Sequence, residues 1–211
     1  MSEFNPCEYP SFQNKDLNIL DKTTVFQGFF RIERYTFSHR LFCGGWSKPV
    51  VREIFERGNA VVILPYNPQT DQVVLIEQFR AGAVAGPGSP WLLEAVAGMI
   101  DKDETAEQVA TREAQEEAGL LIDELLPMLG YFSSPGGSTE RIQVFLGRLT
   151  APVQTGIFGL AEEQEDIRVH VFSREKAMQL LAEGRIDNAA TVIALQWLAL
   201  NLHRVQEQWG V

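Results

Sequence analysis

Two cysteines, Cys7 and Cys43, and three histidines are all that 211 residues offer of the softer metal ligands. So few exclude a disulfide framework and a Cys/His zinc pattern. His39 and Cys43 stand at i, i+4 like half a metal site, but no second pair lies near them, and a packed thiol beside a surface histidine is the simpler reading. Long apolar runs are equally scarce. The longest, around Ala189 to Leu202, is too short to span a bilayer and is interrupted by Gln196 and Asn201. The opening residues, MSEFNPCEYP, have neither the basic nor the apolar region of a secretory signal. A reduced cytoplasm is the expected location. Basic charge is also in deficit: 18 Lys and Arg against 28 Asp and Glu give a formal net charge of -10. That sign disfavours nucleic-acid phosphates and anionic membrane surfaces as partners. Repeats and low-complexity tracts are absent.

The chain has enough apolar material, 45% hydrophobic against 22% charged residues, to build a core rather than remain disordered. Its length suits one or two domains. The acidic excess is confined to two segments. Residues 101 to 124 hold nine acids against Lys102 and Arg112, a net -7, and residues 162 to 168 hold four acids against Arg168, a net -3. The remainder is balanced.

Aromatic and β-branched runs predict strands at Val25–Phe30, Ile32–Phe37, Arg40–Trp46 and Val50–Glu56, after an irregular stretch to about residue 20. Residues 1–57 are therefore read as a small antiparallel β domain, and 58–211 as a second domain. In the second, strands are expected at Ala60–Tyr66, Gln72–Phe79, Trp91–Ala97, Leu125–Phe132, Ile142–Leu149 and Ile167–Phe172. A helix is expected over Glu104–Ala118, stopped by Gly119. Ser173 and Asn188 are expected to cap two more helices, reaching Glu183 and about Arg204. Mixed strands with few helices indicate an α+β fold or α/β/α layering.

Glu113, Glu116 and Glu117 fall at i, i+3 and i+4 on the expected helix, so their carboxylates share one face and repel one another. One reading is a solvated acidic face. The other is a site for Mg²⁺ or Mn²⁺, hard cations that take oxygen ligands and keep water and phosphate oxygens in their shell. The surrounding spacing bears on this choice. Gly98, five residues, Glu104, seven residues, then Arg112-Glu113-Ala114-Gln115-Glu116-Glu117-Ala118-Gly119-Leu120 reproduces G-x5-E-x7-R-E-U-x-E-E-x-G-U at every fixed position. Seven fixed residues at about 6% each match by chance on the order of once in a million chains. The one mild departure is small Ala114 in the aliphatic slot. This segment resembles the Nudix hydrolase box.

The resemblance implies a Nudix-type α/β/α sandwich with a mixed sheet, preceded by the small antiparallel β domain, and two or three Mg²⁺ ions (Mn²⁺ as an alternative) between carboxylates and a pyrophosphate. It makes Glu113, Glu116, Glu117 and the carbonyl of Ala97 metal ligands. Arg112 and Glu104 are the pair that orients the helix, while Gly98 and Gly119 serve close approach and capping. Pro135, 16 positions after Gly119, resembles the ADP-ribose pyrophosphatase subfamily, as do the length, the β-rich N-terminal region and the segment Gly159–Asp166. In that subfamily a glutamate loop beyond the box carries the catalytic base and a further metal ligand, here matched by Glu163 and Glu165. Arg80 is the candidate phosphate clamp. Arg52, Glu140 and Pro135 are further candidate substrate contacts, and Phe29 or Trp46 could stack on adenine. The implied reaction is Mg²⁺-dependent hydrolysis of ADP-ribose to AMP and ribose 5-phosphate by a homodimer whose N-terminal regions help form each other's sites. The alternatives are another Nudix substrate (NADH, a nucleoside sugar, a dinucleoside polyphosphate, a nucleoside triphosphate) or a Nudix-fold module that binds without hydrolysing.

Overall fold

The apolar run Ala60–Asn67 dictates the layering of the larger unit. Side chains alternate across a strand, and here both sets are apolar: Val61 and Ile63 are buried in one cluster, Val62, Leu64 and Tyr66 in another. A strand with two buried faces must be central in a sheet covered on both sides. The computed structural model describes residues 12–100 and 103–211, with the backbone alone for Glu163, and divides the chain into two units.

The first unit consists of residues up to Arg57 together with Ser133–Glu140. Three strands, β1 (Leu17–Gln27), β2 (Arg31–His39) and β3 (Val50–Glu56), form an antiparallel sheet in that order. Strand β1 begins at Leu17, inside the stretch expected to be irregular. All its side chains are exposed, among them Leu17, Ile19, Leu20, Val25 and Phe26, so no in-and-out alternation marks it in the sequence. Arg40–Trp46 is not the strand expected there. Gly44 and Gly45 take φ of 94° and 78°, left-handed backbone that breaks extension, and only one isolated bridge, Arg40 to Trp46, remains. The loop Ser133–Glu140 joins this unit through the Phe55 N–H, which donates to the Gly137 carbonyl (2.8 Å). Thr139 Oγ1 also donates to Glu56 Oε2 (2.6 Å).

The second unit carries an eight-stranded mixed sheet. Its strands are β4 (Ala60–Asn67), β5 (Gln72–Phe79), β6 (Trp91–Glu94), β7 (Val96–Met99), β8 (Glu124–Phe132), β9 (Arg141–Arg148), β10 (Gly156–Phe158) and β11 (Ile167–Ser173). The main path runs β10-β11-β5-β4-β9-β8, with β4 and β9 parallel. β4 and β5 pair only next to their turn, at Tyr66–Val73 and Asn67–Gln72. Beyond that they diverge, and the segment expected as one strand, Trp91–Ala97, fills the gap in two pieces. β6 pairs with β5 and β7 with β4. The break falls at Ala95, whose N–H donates to Thr191 Oγ1 (2.8 Å).

Helix α1 (Ala106–Ala118) covers one face, resting on Val61, Ile63, Val74 and Ile76 through Ala106, Val109, Ala110, Ala114 and Ala118. The slot filled by Ala114 is fully buried, on a helix that lies on the sheet chiefly through alanines. α1 starts two residues later than expected. Thr105 caps it in a reciprocal capping box with Gln108, which leaves Glu104 outside the helix. Gly119 closes it at φ 65°. The other face is covered by α2 (Arg174–Ala182) and α3 (Ala189–Trp209), capped by Ser173 and Asn188. Leu195, Leu198 and Trp209 join Leu64, Tyr66, Leu75 and Leu146 in that layer. The result is the expected α/β/α arrangement with a mixed sheet.

Candidate active site

Three elements of the larger unit converge on one acidic locus: the glutamate face of α1, the β6–β7 break, and the segment before β11. On α1, Arg112 is the hub. Its Nε and Nη2 each lie 3.1 Å from a Glu104 carboxylate oxygen, while Nη1 lies 2.9 Å from Glu113 and 2.8 Å from Glu116. A planar five-donor fork is suited to bridging several carboxylates. Part of the like-charge repulsion along this face is offset in that way.

Glu117 is the buried member, with 3% exposure, and Glu113 is half-buried. Burial pushes the Glu113 carboxyl up to about 7; Arg112 pulls against it and the Glu116 charge adds to it. Burial likewise pushes Glu117 up to about 8, opposed by the Ala97 N–H and reinforced by Glu113. That N–H donates to Glu117 Oε2 (3.1 Å). Glu165 raises both, so its charge acts at the same locus, and its Oε2 also accepts from the Leu160 N–H (3.2 Å). The short 3-10 turn Ala161–Glu163 puts the Glu163 backbone just before Glu165; the Glu163 side chain lies outside the described residues, as do Asp101 and Lys102.

The donor set fits a hard divalent cation. Glu113, Glu117 and Glu165 present carboxylate oxygens whose charges oppose one another in a partly buried place, where a cation would convert repulsion into binding. Gly98 leaves a cradle: a Cβ there would land on the Glu113 carboxylate. Among the described residues no three acidic, His or Cys side chains already form a closed cation cage. Glu113 and Glu116 are turned to Arg112 and Glu117 to the Ala97 N–H.

Arg80, at the end of β5, lowers the Glu117 pKa and so also acts at this locus. Its Nε is 2.7 Å from Glu94 Oε2. Glu94, 2% exposed, was not anticipated from sequence, nor was Asn188, whose Nδ2 reaches Glu94 Oε1 at 2.5 Å. A lone acid in the apolar run Trp91–Ala97 was the available signal.

The other expected substrate contacts belong to the first unit. Phe29 is 89% exposed and edge-on to Phe30. Trp46 carries the Arg40 guanidinium 4.7 Å over its ring. Arg52 is exposed, with Nη1 donating to the Val51 carbonyl. Glu140 is buried and paired with Arg57 at 3.1 Å. Pro135 is exposed in the loop Ser133–Glu140.

Residues 56–195 match the model of the NUDIX domain. The chain is 52% identical over 200 residues to an "ADP-ribose pyrophosphatase" of Escherichia coli (strain K12), covering 95% of this chain and 96% of the relative. A protein of the same name from Haemophilus influenzae is 47% identical over 205 residues, covering 96% and 94%. A "GDP-mannose pyrophosphatase" of Yersinia pestis is 36% identical over 176 residues, covering 83% and 87%. A solved structure described as an ADP compounds hydrolase superposes with a TM-score of 0.69 at 22% identity, covering 92% of this chain and 96% of that one; at that identity it speaks for the fold.

Proposed function

The chain belongs to the Nudix family, and on that premise we propose that it hydrolyses the diphosphate of ADP-ribose to AMP and ribose 5-phosphate. The observation that carries the chemistry is buried Glu117 beside half-buried Glu113, the latter set against Gly98, with Arg80 acting at the same locus. Near-full-length identity to proteins named for that substrate supports the choice of ADP-ribose.

In this reading Glu113, Glu116, Glu117, Glu165 and the Ala97 carbonyl would hold two or three Mg²⁺ ions, or Mn²⁺. When bound, the ions neutralise the diphosphate, lower the pKa of a water and stabilise the leaving oxygen. Glu163 accepts the proton of the attacking water. Arg80 binds phosphate oxygens with its guanidinium fork. Arg112 and Glu104 hold the glutamates in place. Attack is in line with the leaving phosphate.

The first unit (the domain 1–57 plus its loop) would supply Phe29 or Trp46, Arg52, Glu140 and Pro135 as substrate contacts. Its exposed apolar strand β1 supports a homodimer in which each N-terminal region helps form the partner's site, in a reduced cytoplasm. Exposed Leu17, Ile19, Leu20, Val25 and Phe26 on one strand are more than scattered surface residues. Sedimentation at micromolar concentration is expected to give twice the chain mass; a fully active monomer would remove the shared-site reading.

The 36% identity to GDP-mannose pyrophosphatases favours a second substrate, GDP-mannose. A panel of ADP-ribose, GDP-mannose, NADH, a dinucleoside polyphosphate and a nucleoside triphosphate at equal concentration decides between them. ADP-ribose is expected to lead by about tenfold or more in kcat/KM, the scale on which one pocket separates related substrates. All turnover is expected to vanish in excess EDTA and return with Mg²⁺. Binding without turnover under Mg²⁺ would make the protein a ligand-binding module instead.

A further inference from the structure

Arg80 is held by one edge only. Glu94 takes its Nε, and among the described residues no side chain takes up its Nη groups, while the side chain stays 40% exposed. A guanidinium gripped at Nε and open at both Nη groups is a preorganised fork for an anion.

What keeps Glu94 to a single bond with Arg80 is a residue in a distant part of the chain. Glu94 Oε1 accepts from Asn188 Nδ2 at 2.5 Å. Asn188 is fixed in turn, since its Oδ1 accepts from the Thr191 N–H (3.1 Å) and from Thr191 Oγ1 (3.2 Å) at the start of α3. Thr191, fully buried, closes the circuit by accepting from the Ala95 N–H at the β6–β7 break. Both oxygens of a nearly inaccessible carboxylate are thus assigned to different donors. Without the Asn188 amide, Oε1 would be a buried acceptor with no partner, a costly state. The nearest remedy is for the Glu94 carboxylate to turn and grip Arg80 by two parallel bonds, which withdraws an Nη donor from the open side.

We propose that Asn188 is a positioning residue for the reaction: by occupying one oxygen of Glu94 it keeps the Arg80 fork open toward the substrate's diphosphate. This rests on the reading of Arg80 as the phosphate clamp. It assigns to an α3 cap a role in substrate affinity beyond helix stability.

The test separates the two duties of Asn188. Asn188→Ser keeps an oxygen that caps α3 but cannot reach Glu94. The KM for ADP-ribose is expected to rise roughly tenfold, the size typical of directly coupled neighbours. Turnover at saturation and Tm should change little. In an Arg80→Ala background, where there is no fork to keep open, the same substitution should alter KM by less than about twofold. An equal rise in both backgrounds, or a fall in kcat and Tm without the KM effect, would overturn the proposal. If Arg80→Ala alone leaves KM untouched, it is the phosphate-clamp reading that falls. Should Asn188→Ser fail to fold, Asn188→Thr serves in its place. Its hydroxyl oxygen retains the cap acceptor and does not reach Glu94, so the same Arg80-dependent rise in KM is expected, and an unchanged KM would overturn the proposal.

Discussion

Glu117→Gln is expected to lose about a thousandfold in turnover under Mg²⁺ and, in the absence of metal, to unfold at higher denaturant than the parent chain. The first effect follows from the proposed ligand role, because a neutral amide gives up the charge that holds a divalent ion, and several kcal/mol of transition-state stabilisation go with it. The second follows from burial. Glu117 is 3% exposed and faces the charges of Glu113 and Glu165, so removing its charge relieves desolvation and repulsion together, while the amide oxygen still accepts from the Ala97 N–H. A gain of about 2 kcal/mol is expected. Its pH dependence has a definite sign. The folded-state pKa, about 8, lies above the ordinary glutamate value of 4.5, so the folded chain binds the additional proton between those values. Metal-free stability is therefore full below about 4.5 and is lost as the pH rises through about 8. Glu113, raised to about 7, adds to the slope. Urea melts in EDTA at pH 6 and pH 8, beside kcat in Mg²⁺, measure both effects. Near-normal turnover would sink the ligand role; unchanged stability at pH 8 would sink the burial argument.

Gly98→Ala is expected to have nearly as large an effect on activity with little on folding. The added methyl would coincide with the Glu113 carboxylate, which is the far end of a flexible side chain. Glu113 can swing away at small cost, so Tm should fall by only a few degrees, about 1 kcal/mol for a chain of this size. The oxygen proposed to bind metal is then displaced, and kcat/KM should fall about a hundredfold, the scale reported for small misplacements at a reacting centre. Calorimetry of Mn²⁺ binding should show weakened affinity in parallel. If activity and metal affinity survive, the cradle has no functional meaning. Gly119 is a different case: it has φ 65°, and a Cβ would meet the Phe158 ring at 2.5 Å, so a side chain there would strain backbone and core.

Elements with buried faces were legible in the sequence. Gln72–Phe79 stands where its apolar pattern put it, and Ser173 and Asn188 cap their helices as expected. β1 was misplaced because its side chains are exposed on both faces and carry no alternation. β10, three residues long, is too short to produce a pattern. The division of Trp91–Glu94 from Val96–Met99 depends on which neighbour each half pairs with, a tertiary fact with no local signature. The box residues were legible because fixed spacing on a helix puts Glu113, Glu116 and Glu117 on one face, and Arg112 does contact Glu104, Glu113 and Glu116. The Glu94–Asn188 link was not. An asparagine that caps a helix reads the same whether or not its amide has a second task, and its partner lies 94 residues away.

The loop Ser133–Glu140 belongs to the first unit although the chain on either side of it belongs to the second. During synthesis that ordering becomes a delay. Glu56 leaves the ribosome 83 residues ahead of Thr139, which donates to it, and at about 5–20 residues per second this is roughly 4–17 s. Over that interval β3 has no loop to pair with the Phe55 backbone, and the apolar strand β1 is already made. Nascent chains of this protein therefore pass seconds before β3 meets the loop that completes its unit, the interval in which chaperones and pairing between neighbouring nascent chains have their greatest influence.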